Sequence, residues 1–144
     1  MRTNIAIVIS TVLVLWLAVL AVPGRATLGP DTRICGQLKG PTAAGRWVLT
    51  GKTITGNTWT VFGSGIPCSD AMRATPGLLK QWAKAKSAMG TTDLQTPKGW
   101  LGCVRREKPF AAGSCDKTVR AGFEFWMTGP YTLAQLKALK VLGH

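Results

Sequence analysis

WVLTGKTITGNTWTVFGSGIPCSDAMRATPGLLKQWAKAKSAM, from Trp47 to Met89, is the stretch that decides the fold. Trp47-Val48-Leu49-Thr50 and Thr58-Trp59-Thr60-Val61-Phe62 are rich in aromatic and β-branched residues, which fit a pleated, half-buried surface. The turn formers Gly51, Gly56 and Asn57 lie between them, so the two runs read as a β-hairpin. In the second run Trp59 and Val61 fall on one side and Thr58, Thr60 and Phe62 on the other, because successive side chains alternate across a strand. The expectation is one packed face and one wet face.

Gly63-Ser64-Gly65-Ile66-Pro67 ends that strand, since two glycines and a proline do not sustain a ladder. After Cys68, Ser69 or Asp70 is placed to cap a helical turn, and Thr75-Pro76 to form a second cap with proline at the first helical position. Two readings follow: one helix kinked at Pro76, or a short turn feeding a longer helix. From Leu78 the period is helical. Leu78, Trp82, Ala85 and Met89 share a face with Leu79 at its flank, while Lys80, Gln81, Lys84 and Ser87 fall elsewhere, and Gly90 stops the helix.

Outward from this stretch, the N-terminus differs in kind from the rest. Ile5 to Val22 is apolar apart from Ser10 and Thr11, a basic Arg2 precedes it, and Pro23-Gly24-Arg25-Ala26 follows. The pattern reads as a secretory signal over residues 1–26, cut after Ala26, with an uncleaved membrane anchor at residues 5–22 as the alternative. Either way the domain is expected outside the cytoplasm, secreted or membrane-anchored. Residues 27–31 read as a linker and 32–144 as a single domain. Without residues 1–26, 16 basic residues stand against 6 acids, a net +10 over 118 residues. Such an excess favours an anionic partner or surface and says nothing about fold.

Four cysteines in an exported chain read as two disulfides with three possible pairings. Cys35 with Cys68 and Cys103 with Cys115 is the expected set, because the latter two flank a hairpin and the former ties the first strand to the helix start. A metal site has little support, as there is no CxxC and the only histidine is His144.

Along the rest of the chain, Thr32–Leu38 reads as an edge strand with Ile34 inward, and Lys39–Gly45 as a loop. Thr91–Lys98 reads as a polar connector, Gly99–Val104 as a strand, Arg105–Pro109 as a charged turn and Ser114–Thr118 as the returning strand. Gly122–Met127 reads as a last strand with Phe123 and Phe125 inward. Thr132-Leu133-Ala134-Gln135 has the capping-box pattern and opens a short helix carrying Leu133, Leu136 and Leu139. The fold class is therefore α+β: a small antiparallel sheet on one amphipathic helix, stapled by disulfides, with a signal or hydrophobic helix before it and a short helix after it.

The order Cys35-Gly36, Trp59-Thr60-Val61-Phe62 with Gly65, Cys68-Ser69 opening a helix, Gly99-Trp100 shortly before Cys103, and then Cys115 resembles small exported four-cysteine proteins of actinobacteria. The resemblance spans Arg33 to Met127, and Gly102 and the Pro76-Gly77 pair depart from the group's pattern. That group has no established activity, so the resemblance implies compartment and architecture only.

Catalysis requires a positioned acid, base, nucleophile or metal. A terminal histidine and disulfide-bound cysteines offer no Ser-His or Cys-His arrangement. Among Asp70, Asp93, Glu107, Asp116 and Glu124, Asp70 reads as a cap, Glu107 as an ion-pair partner in a basic turn, and Glu124 as solvent-facing beside the inward Phe123 and Phe125. No phosphate-binding glycine loop is present. The expectation is no enzyme and no cofactor. Lys80, Lys84 and Lys86 on the helix and Arg105, Arg106 and Lys108 in the turn form the expected anion-binding set, opposite envelope polymers or lipid headgroups, while nucleic acid is not expected of an exported chain. Trp47, Trp59, Trp82, Trp100 and Trp126 read as core. The alternatives to a non-catalytic, envelope-associated binding protein are a secreted protein-interaction or inhibitor module and a small envelope hydrolase.

Overall fold

β-Branched and aromatic residues between Thr53 and Ser64 build a strand paired on both edges, and the sheet grows outward from it. In the computed structural model, which describes residues 31–47, 50–85, 91–108 and 110–139, six strands form one antiparallel sheet. They are β1 (Arg33–Arg46), β2 (Thr53–Ser64), β3 (Thr91–Leu94), β4 (Gly102–Arg106), β5 (Ala112–Thr118) and β6 (Ala121–Met127), in the order β1-β2-β6-β5-β4-β3. Helix α1 (Cys68–Lys84) packs across β1, β2, β3 and β6, and α2 (Leu133–Ala138) follows β6. The α+β architecture expected from the sequence is present. The expected signal at 1–26, all of the expected linker except Asp31, and Val48, Leu49, Lys86, Met89, Gly90 and Pro109 lie outside the described residues.

The hairpin is longer than expected and displaced. Lys39–Gly45, expected as a loop, belongs to β1, while Trp47 and Thr50, the ends of a run expected as a strand, lie in the connection, where the Trp47 amide donates to the Lys52 carbonyl. The register between β1 and β2 shifts at Ile34/Gly36 and again at Lys39/Ala43. These bulges absorb Cys35 and the Gly40-Pro41-Thr42 segment, and an edge strand is where proline is tolerated. Two further corrections sit at the other edge. Thr91–Leu94 is a strand rather than part of a connector, with Leu94 buried opposite Cys103, and Arg105 and Arg106 end β4 instead of opening a turn.

α1 is one continuous helix through Pro76. Pro67, without a side-chain bond, occupies the N-cap expected for Ser69 or Asp70, and the Thr75 hydroxyl donates to the Ala71 carbonyl at 2.7 Å instead of capping a second helix. Pro76 and Gly77 lie on the exposed side, so the ring meets solvent rather than the sheet. The helix ends at Lys84, before the expected Met89. Its inner face buries Ala71, Thr75, Leu78, Leu79 and Trp82. Trp82 meets Trp59 edge-on at 4.9 Å between ring centroids, Trp59 meets Phe125 at 6.0 Å, and Trp100 meets Phe123 at 5.0 Å. On this face the Trp59 indole donates to the Pro41 carbonyl and the Trp82 indole to the Ala112 carbonyl, each at 2.9 Å.

The opposite face of β2 and β6 was expected to be wet and is dry. Phe62 and Trp126 are buried there, with rings 4.8 Å apart, and Trp47 and Phe110 close over Trp126 at 6.3 and 5.1 Å. Tyr131 adds a ring 5.5 Å from Trp47, and Leu136 of α2 is buried. Thr60 is buried as well and shares a hydrogen bond with Thr128 at 2.6 Å. Alternation alone misreads this face because the residues that cover it come from connections. Thr132 and Gln135 form the expected capping box of α2.

Cys35–Cys68 and Cys103–Cys115 are the two disulfides, as expected. The first ties the β1 bulge to the first residue of α1, and the second joins directly opposed residues of β4 and β5. In the chain-entropy account, closures of 33 and 12 residues contribute about 4 and about 3 kcal/mol respectively. Removing the pairs separately as Cys35→Ser/Cys68→Ser and Cys103→Ser/Cys115→Ser should lower stability in that order in urea denaturation. Equal or reversed losses contradict the assignment of the longer closure to the larger effect.

Gly113 sits under the Phe125 ring, where an added Cβ would collide with Cζ. Gly113→Ala should therefore cost about 1–3 kcal/mol by urea denaturation, since the ring cannot leave without opening the core. An unchanged midpoint would show that the ring does not rest there.

Candidate functional site

The sequence places one charged group on every few residues of α1, and the 3.6-residue period sorts them. Arg73, Lys80 and Lys84 fall on one stripe, diametrically opposite the buried Leu78 and Trp82, and all three are exposed. Arg73 pairs weakly with Asp70 at 3.8 Å, and its side chain stays 80% exposed. Lys80 and Lys84 enter no ion pair among the described residues. From Arg73 to Lys84 the stripe runs about 16 Å along the helix. Arg73 was missed in the sequence reading, although its place seven residues before Lys80 marks it as a member of the stripe.

The structure divides the rest of the expected anion-binding set. Arg105 is a correction: it is 3% exposed, lies over the Trp82 ring at 4.3 Å and pairs with Glu107. Its position in β4 puts it on the helix-facing side with Cys103, so its charge is used internally. Arg106 points to the opposite side and is half-buried, Lys108 is exposed beyond the strand, and Lys86 lies outside the described residues. The five described residues of the set therefore form no single patch.

The acids are also sorted by the sheet. Asp70, expected as a cap, stands in the first turn of α1 between Arg73 and Lys117, 3.6 Å from the Lys117 ammonium. Glu107 has an ion-pair partner as expected, but that partner is the buried Arg105. Asp93 is exposed on the edge strand β3.

Glu124 is a second correction. It does point away from Phe123 and Phe125, but into a groove of about 300 Å³ lined by Arg106, Ser114, Asp116, Arg120 and Phe62. The Trp126 indole donates to its carboxylate at 2.7 Å. Burial pushes the Glu124 carboxyl above its ordinary 4.5, Asp116 adds to the rise, and the Trp126 N–H and Arg106 oppose it. Sequence reasoning missed this because the residues that enclose it come from neighbouring strands and the β5–β6 turn, which pair with β6 only in the folded sheet. No cluster of three potential metal-ligating residues occurs among the described residues.

None of the family models, curated proteins or solved structures compared with the chain matches it. Function therefore rests on the geometry.

Between its ordinary value and its raised folded value, Glu124 holds more protons in the native than in the unfolded state. Stability must then fall as pH rises through that window. Wild type should lose stability relative to Glu124→Gln as pH rises above the ordinary carboxylate value of 4.5, read by urea denaturation at a series of pH values. Parallel profiles for the two proteins would contradict the burial of this carboxyl.

Proposed function

We propose that the protein is a secreted or cell-envelope-associated, non-catalytic basic protein that binds an anionic surface or polymer along the outer face of α1. The observation that carries this reading is the stripe of Arg73, Lys80 and Lys84, turned away from the sheet and free of strong ion pairing among the described residues. The inner face of the helix is fully engaged in packing, so the cations are not by-products of a face that needs them for stability. Two disulfides and the apolar N-terminal sequence support an oxidising compartment outside the cytoplasm. Envelope polymers and lipid headgroups supply negative charge in that compartment.

Each such cation contributes about 1 kcal/mol at an anionic surface and is screened by salt. The exported protein should pellet with purified actinobacterial cell envelopes at low salt and release as salt rises. Arg73→Glu/Lys80→Glu/Lys84→Glu should weaken pelleting about a hundredfold while leaving the fold intact. Absence of pelleting at low salt, or pelleting indifferent to salt, contradicts the reading. Salt-independent binding to one protein would favour an interaction or inhibitor module.

One observation favours a second reading, a small envelope hydrolase. Glu124, its carboxyl pushed up by burial, shares a groove with Asp116, and two carboxyls facing one cleft are the equipment of glycoside hydrolysis. Envelope-degrading activity that disappears in both Glu124→Gln and Asp116→Asn would establish it. Activity retained in either variant would remove the pair from consideration.

A further inference from the structure

Large apolar side chains with wide exposure occur at few places among the described residues. Val119 is 94% exposed and Leu101 68%. Val119 is at the tip of the tight turn joining β5 to β6, where Thr118 pairs with Ala121. Leu101 immediately precedes β4, and its amide donates to the Asp116 carbonyl at 2.8 Å. Both therefore stand at one end of the sheet, about 10 Å apart along β5.

That end carries its own cations. Arg120 adjoins Val119 in the turn, and Lys117 lies over the half-buried Trp100 ring at 5.5 Å. Lys98 is exposed in the loop before Trp100, and Arg73 of α1 lines a shallow depression with Pro97, Trp100 and Lys117. Asp70 and Asp116 are the acids among these residues, and Asp70 is already engaged by Arg73 and Lys117. Aliphatic tips flanked by lysine and arginine, with a tryptophan at their base, match the layered chemistry of a bilayer interface. Headgroup phosphates meet the cations, the indole sits at headgroup depth, and the aliphatic groups reach the acyl boundary. A carbohydrate polymer offers no such apolar layer.

We propose that this end of the sheet docks on an anionic lipid surface, with Val119 and Leu101 entering the acyl boundary beneath a ring formed by Arg73, Lys98, Lys117 and Arg120. This rests on the anionic-surface reading and names lipid headgroups as the source of the charge. The basic stripe of α1 begins at Arg73, at the same end, so docking there brings the start of the stripe to the surface.

The test uses the full chain bearing Val119→Cys labelled with an environment-sensitive fluorophore, mixed with phosphatidylcholine vesicles containing or lacking phosphatidylglycerol. The fluorophore reports depth at residue 119 and so is insensitive to attachment through residues 5–22. Its emission should shift to the blue with anionic vesicles only, and Lys117→Glu/Arg120→Glu should abolish the shift. The same label on Lys52→Cys, in the β1–β2 connection at the other end of the sheet, should stay in water. With the exported, unlabelled protein, Leu101→Ser/Val119→Ser should weaken vesicle binding about tenfold or more. Residue 119 remaining in water on anionic vesicles, or equal shifts at 52 and 119, would overturn the proposal. Binding of a soluble anionic polymer without insertion at 119 would overturn this inference alone. Loss of binding to both vesicles and polymer would overturn the anionic-surface reading with it.

Discussion

The edge-on contact between Trp59 and Trp82 joins the helix to the sheet, and the remaining packing is arranged around it. Trp59 anchors the bulge of β1 through the Pro41 carbonyl, and Trp82 reaches the start of β5 through the Ala112 carbonyl. Phe125 continues the aromatic layer from Trp59 and rests on Gly113, while Arg105 closes it from above Trp82. Large rings with satisfied N–H groups bury much apolar area for little side-chain entropy, which suits a domain with a modest core. Because this column fixes which side of α1 faces inward, it also fixes which side carries cations into solvent.

Period and composition made much of this legible. The inward set Leu78 and Trp82, the inward Phe123 and Phe125, and the capping box at Thr132 and Gln135 rest on local spacing, while the cysteine pairing rests on which elements the cysteines flank. The misread parts depend on pairing across the chain. Gly40-Pro41 signals a loop locally, yet a bulge at the sheet edge accommodates it inside β1. Thr91–Leu94 has no strong strand signal and becomes a strand because β4 offers it an edge. Trp47 and Phe110 lie in connections, so nothing in their neighbourhood shows that they fold over Trp126.

The candidate site was partly legible for the same reason. Helical spacing placed Lys80 and Lys84 on the outside and would have added Arg73. Arg105 and Glu124 were misplaced because their surroundings are set by tertiary contacts: a guanidinium over Trp82 beside Glu107, and a carboxyl beneath a covered face. The sheet thus separates two kinds of polar chemistry. Internal charges are paired or held by a hydrogen bond, whereas the exposed excess is positive and lies on α1 and at the Trp100 end of the sheet as well as on β1, in the β1–β2 connection and on α2.

Amide chemical-shift mapping of the protein, titrated with a soluble anionic polymer at low salt, tests the central claim most directly, because it asks which surface carries the proposed binding. The account predicts the largest shifts along the outer side of α1, at Arg73, Lys80 and Lys84, reversed by added salt. Shifts confined to the Glu124 groove or to the connection between β1 and β2, with α1 unmoved, would contradict it.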